Sequence, residues 1–145
     1  MAGQVEHIII RGESGYVPPE WEYTDTLLIT EHSVEYECKP YNPMKTNPIQ
    51  KWVYVTNSMI FKKLFDQVVD AVYEVFIRDP KCSFTDLPFW TFQVTYKDGS
   101  MVKKIYTSHP EEFKDCFTVI RKLVPPCELI PCMLRISRDK NIPVE

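Results

Sequence analysis

Glycine is scarce in this chain. Its 145 residues contain four, Gly3, Gly12, Gly15 and Gly99. Dinucleotide fingerprints and phosphate-cradling loops need clustered glycines, because the backbone must approach the phosphate closely, so nucleotide enzymes of those classes are excluded. Long apolar runs are missing as well. The greasiest segment is interrupted by Lys62, Lys63, Asp66 and Asp70 and falls short of the roughly 18 to 20 uninterrupted residues that cross a bilayer. Met1 to Arg11 carries no basic leader, and no secretion signal is expected. An excess of positive charge is also lacking. Seventeen basic against 20 acidic side chains leave a net charge of -3 and no long-range field to draw in a polyanion. The cysteines, Cys38, Cys82, Cys116, Cys127 and Cys132, are odd in number and irregularly spaced, which fits reduced thiols in a cytoplasmic protein better than a disulfide framework.

Apolar and aromatic residues are plentiful, at 44% and 13% of the chain. That is enough for one core, so residues 1–145 are read as a single α+β domain with a mobile tail over 138–145. Val5 to Arg11 is a β-branched first strand. Leu27 to Thr30 and Val34 to Lys39 flank Glu31-His32-Ser33 as an antiparallel hairpin, with Glu35 and Glu37 alternating against Val34, Tyr36 and Cys38. Prolines 40, 43 and 48 make a loop, after which Lys51 to Val55 resumes as strand. Asn57 or Thr56 caps a helix from about Ser58 to Ile77, whose apolar stripe is broader than a surface helix requires. Trp90 to Thr107 is a second hairpin around Asp98-Gly99. A two-residue type I′ turn there sets Tyr96 opposite Met101, Phe92 opposite Ile105 and Trp90 opposite Thr107, and leaves Lys103 as a misfit opposite Val94. A second helix opens at Ser108, with Glu111 at capping-box spacing, and stops at Pro125-Pro126.

Phe61-Lys62-x-x-Phe65 recurs as Phe113-Lys114-x-x-Phe117, and Tyr54 and Tyr106 precede the two helices. The halves can be read as two strand–strand–helix repeats, or as two unrelated helices sharing apolar spacing. Either way the architecture is a mainly antiparallel sheet of five or six strands with two helices packed on one face.

Trp90-Thr-Phe-Gln-Val-Thr-Tyr-Lys-Asp-Gly-Ser, followed by Ser108-His-Pro-Glu-Glu-Phe and Ile120-Arg-Lys-Leu-Val-Pro, resembles a group of small uncharacterised bacterial α+β proteins. The resemblance covers about a quarter of the chain and is structural, implying a hairpin followed by a capped helix and no catalytic residue.

Candidate chemistry is thin. Cys127 and Cys132, with His109, are the weak metal candidates; they fall short of the four ligands of a structural zinc site, and no cofactor is expected. Cys116 and His109 lie two helical turns apart, and Cys38 and His32 are separated by six residues of strand, so neither pair makes a nucleophile and base. Glu20 with Glu22, and Glu35 with Glu37, are carboxylate pairs more often found simply solvated. Lys97, Lys103, Lys104 and Tyr106, with Arg135, Arg138 and Lys140, form the weak nucleic-acid candidate, although lysines on a sheet edge also deter edge pairing. The excess width of the first helix, at Ile60, Val69, Tyr73 and Phe76, gives the interface candidates for a homodimer or another protein, against the alternative of one large core. The leading expectation is a non-enzymatic protein-interaction or self-associating module. Its rivals are a small enzyme with a pocket in the loops around Trp21, Pro43 and Phe89, and a nucleic-acid binder.

Overall fold

The computed structural model describes residues 4–13, 23–40, 49–80, 89–107 and 110–125. Among these residues four strands precede a long helix and two more precede a short one: β1 (Val5–Glu13), β2 (Tyr23–Ile29), β3 (Ser33–Pro40), β4 (Gln50–Val55), α1 (Met59–Arg78), β5 (Phe89–Tyr96), β6 (Met101–Thr107) and α2 (Lys114–Arg121). The strands form one sheet in the order β4-β3-β2-β1-β5-β6, antiparallel at every pairing. The fold is α+β, as the element pattern implies. Among the described residues no helix is long and apolar enough to cross a membrane.

Alternation decides which side of the sheet is covered. Ile8 and Ile10 of β1, Leu27 and Ile29 of β2, Val34 and Tyr36 of β3, and Phe92 and Val94 of β5 are all buried on the helix side, while Arg11, Glu35 and Glu37 are exposed on the other. A strand of period two that buries one face leaves the register little freedom. The β2–β3 turn is closed by the Thr30 amide donating to the Ser33 carbonyl at 2.9 Å, and Thr30 Oγ1 accepts from the His32 amide at 3.1 Å. β2 begins earlier than its apolar run suggests, because Asp25 is turned inward and is 1% exposed. The Tyr36 hydroxyl donates to its Oδ1 at 2.5 Å.

α1 starts one residue after its cap, Ser58, rather than after Thr56 or Asn57. Ser58 is extended, and its hydroxyl accepts from the amides of Ile60 and Phe61 at 3.2 and 3.4 Å, satisfying donors that the first turn leaves orphaned. Thr56 sits one step back, its Oγ1 accepting from the Ser58 amide. Asp79 ends the helix in the left-handed region, at φ 45°. The 20 residues of α1 span about 30 Å, longer than the roughly 19 Å between strands four places apart. The helix therefore crosses the sheet obliquely. Phe61 in its first turns meets Tyr54 of β4, with ring centroids 6.0 Å apart, while Phe76 in its last meets Phe92 of β5 at 6.5 Å.

The β5–β6 hairpin differs from its expected register by one residue. Thr95 pairs with Met101, Phe92 with Lys104 and Trp90 with Tyr106, around a three-residue loop, Lys97-Asp98-Gly99. Gly99 takes φ +90°, and Asp98 Oδ1 accepts from the Ser100 amide at 2.8 Å, so the loop closes on a left-handed glycine rather than a two-residue I′ turn. One residue of slip turns all of β6 over. Tyr106 enters the core, Ile105 and Met101 face outward, and Lys103 pairs with Gln93 on the outer face instead of opposing Val94. A 3-10 turn, Pro110–Phe113, leads into α2; the proposed capping box at Ser108 lies outside the described residues, and α2 ends at Arg121, short of Pro125-Pro126. Trp90, Phe92, Tyr106, Phe113 and Phe117 then stack beneath α2 with centroids 5.2 to 5.8 Å apart.

Candidate interaction edge

Among the described residues β4 and β6 are the two outer strands of the sheet, and each presents one row of backbone donors and acceptors that no other described strand takes up. Such rows template pairing with further strands unless something blunts them. β6 is blunted. Lys103 and Lys104 sit side by side at its centre, both exposed. β4 has its one charge, Lys51, near its start and runs out through Trp52-Val53-Tyr54-Val55. It is anchored to β3 along its inner edge, Val34 opposite Tyr54 and Tyr36 opposite Trp52, and past its end by the Thr56 amide donating to the His32 carbonyl at 2.8 Å.

Around this edge the side chains are apolar and open. Val53 and Val55 point to the outer face, Val55 being 68% exposed. Ile49 lies just before the strand, and Met59 and Ile60 just after it in the first turn of α1, with Ile60 71% exposed. From Ile49 to Phe61 the sequence holds a single charge, Lys51. Next to the edge, the outer face of β2, β3 and β4 forms an open depression of about 530 Å³ lined by Leu28, Glu35, Glu37, Lys51 and Val53 among others. Glu37 stands opposite Lys51 in register, so the depression holds two carboxylates and one ammonium among its described lining residues.

The residues singled out from the sequence fall elsewhere or apart. Val69 is buried in the core, and Tyr73 and Phe76 pack against it, half-buried. The Tyr73 hydroxyl is hydrogen-bonded to that of Tyr96. The breadth of α1 is thus taken up by its own sheet at three of the four interface positions, and Ile60 alone stays open, at the β4 end. Lys103 and Lys104 project to opposite faces of β6, Lys97 is in the hairpin loop, and Tyr106 is 4% exposed. No base could stack on that tyrosine, so these four do not make a nucleic-acid surface. His109, Cys127 and Cys132, along with Trp21 and Pro43 of the loop-pocket reading and the 138–145 tail, lie outside the described residues; Phe89 opens β5 and is exposed. Among the described residues no group of three or more His, Cys, Asp or Glu side chains could hold a metal ion. Cys116 is a packing residue. Burial pushes its thiol up to about 12, with Arg78 pulling weakly the other way, so it stays protonated at neutral pH, unlike an activated nucleophile.

Sequence reasoning passed over Val53, Val55 and Met59. The signal was present in the low charge of the segment from Ile49 to Phe61, yet an alternating strand and a helix start give no sign of which strand ends at the sheet edge. In comparisons with known proteins, no family model, curated protein or solved structure matches the chain.

Proposed function

We propose that this chain is a non-enzymatic protein-interaction module that receives an extended polypeptide along β4. One observation carries the reading: of the two sheet edges, β6 is guarded by paired lysines, while β4 ends in open valines and runs into open Met59 and Ile60. Strand addition draws its affinity from main-chain hydrogen bonds and its selectivity from side chains on alternate positions. Here the outer-face positions would abut Val53 and the depression holding Glu35 and Glu37, whereas the helix-face positions would meet Tyr54 and the start of α1.

The test is a selection of displayed random peptides against the whole chain, followed by mapping of backbone-amide shifts with the recovered peptides. Shifts concentrated on Gln50–Val55, together with roughly tenfold weaker binding to Val53→Lys, are expected. Peptides that bind with full affinity to Val53→Lys and shift only loop amides would refute the reading.

A further inference from the structure

Resting on that reading, we infer that the polypeptide β4 receives is a basic one, an extended segment that sets an arginine or lysine opposite Val53 with an apolar residue on either side of it. The strand register carries the inference. On the outer face Leu28, Glu35 and Val53 lie in one row across β2, β3 and β4, and Thr26, Glu37 and Lys51 lie in the next. Both carboxylates therefore stand on β3, one strand in from the edge, exposed in the open depression. A strand added to β4 would have its backbone about 9.5 Å from that of β3, two strand spacings. A side chain opposite Val53 must span much of that gap to meet Glu35. Arginine and lysine do so by laying an apolar stem over Val53 and carrying the charge into the depression beyond. Shorter polar side chains fall short.

Charge placement admits the cation at one outer-face position. Opposite Lys51 it would face a like charge, which destabilises a strand pair. Opposite Val55 the row runs on to Ser33 rather than to a carboxylate. The row through Val53 joins an apolar bed to an acid. The cationic head meets Glu35 first and Glu37 second, because Lys51 already stands opposite Glu37. The two flanking residues turn to the helix face. There they meet Trp52 and Tyr54, whose rings pack against Tyr36 and Phe61 with centroids 5.8 and 6.0 Å apart, and β-branched side chains suit such aromatic neighbours. The other edge repels the same segment. β6 carries Lys103 beside Gln93 on the outer face and Lys104 beside Phe92 on the helix face, so a basic strand meets like charges there. Attraction at β4 and repulsion at β6 together select the edge.

The test uses three capped peptides built on Thr-Ile-Arg-Val-Thr, with arginine, norleucine or glutamate at the centre and two further threonines at each end. Titrating the whole chain with each, followed by backbone-amide shifts, gives both the place of binding and its strength. The arginine peptide is expected to shift Gln50–Val55 and to bind about tenfold more tightly than the glutamate peptide, with norleucine between them and the gap narrowing in high salt. In Glu35→Lys the order should reverse. Glu35→Gln should weaken the arginine peptide about threefold, whereas Glu74→Gln, which removes an exposed carboxylate on α1, should leave it unchanged. Equal losses in Glu35→Gln and Glu74→Gln would reveal only the pull of the net charge and overturn the inference, as would a preference for the glutamate peptide in the wild type. Should Glu35→Lys fail to fold by far-UV circular dichroism, Glu35→Gln and the salt dependence of the wild type decide. Three peptides that bind equally, with shifts on Gln50–Val55, would remove the basic partner and leave the proposed function standing. Shifts that spare β4 with every peptide would remove the function as well.

Discussion

Gly12 lies under the indole of Trp90, and a methyl group built on it would stand 2.7 Å from Trp90 Cζ3. The indole has nowhere to go, because Phe113 and Phe117 hold it at centroid distances of 5.6 and 5.3 Å. Gly12→Ala is therefore expected to lower stability by about 1–3 kcal/mol through overpacking, measured by urea unfolding, although its φ is unexceptional. A different kind of constraint acts two strands away. Tyr36 and Asp25 are each about 1% exposed, and the tyrosine hydroxyl donates to the carboxylate. Tyr36→Phe keeps the ring, removes that donor and should cost about 2 kcal/mol, the usual scale for a buried hydrogen bond to an acidic group. Unfolding midpoints of the two variants, taken with unchanged denaturant slopes, would confirm that the native state rather than the unfolded chain is affected.

At the scale of elements, the β5–β6 hairpin shows how one loop residue governs a whole face. Gly99 in the left-handed region, and Asp98 accepting from Ser100, build a three-residue connection that turns Tyr106 inward. Deleting Ser100 while keeping the three-residue loop would set Met101 opposite Tyr96 and Ile105 opposite Phe92, the register first expected from the sequence. Ile105 would then face the core and Tyr106 the solvent. Because Tyr106 fits between Phe92 and Phe113 at 5.8 and 5.7 Å, this variant should lose more than about 2 kcal/mol and its tyrosine near-ultraviolet dichroism should weaken. The hairpin was legible in the sequence but its register was not, since Asp-Gly serves two-residue and three-residue loops alike. The breadth of α1 was equally legible and its cause was not. Periodicity shows how wide an apolar stripe is, but the oblique path from β4 to β5 that buries Val69 follows from strand order, which no local pattern contains. Asp25 hid the start of β2 for a related reason: an inward acid is readable only once Tyr36 is placed across from it. At the candidate site, Ile60 was singled out from the sequence, whereas Val53 and Val55 became visible only when β4 proved to be an outer strand.

At the scale of the molecule, two layers divide the labour. The helix side concentrates burial, while much of the outer face and the β4 edge stays exposed among the described residues. That concentration has a consequence at high pH. Burial pushes the Cys116 thiol up to about 12. Tyr106 is pushed up to about 12 by burial first and by the Asp79 carboxylate second, with Arg78 opposing. Tyr73 reaches about 12 through burial and its bond to Tyr96. All three hold their protons more tightly in the folded chain than in the unfolded one, whose reference values are 9.0 for the thiol and 10.0 for the phenols. Their contribution to stability is complete well below pH 9, begins to fall as the unfolded thiol ionises, falls faster above pH 10 as the unfolded phenols follow, and is gone above about 12. Urea unfolding repeated from pH 8 to pH 11 should trace that decline. Lysine deprotonation acts in the same range, so the double variant Cys116→Ala, Tyr106→Phe supplies the control. It should start less stable because of the atoms it lacks, yet lose stability less steeply above pH 9 than the wild type. Parallel slopes for the two proteins would show that neither group is shielded as the packing beneath α2 requires.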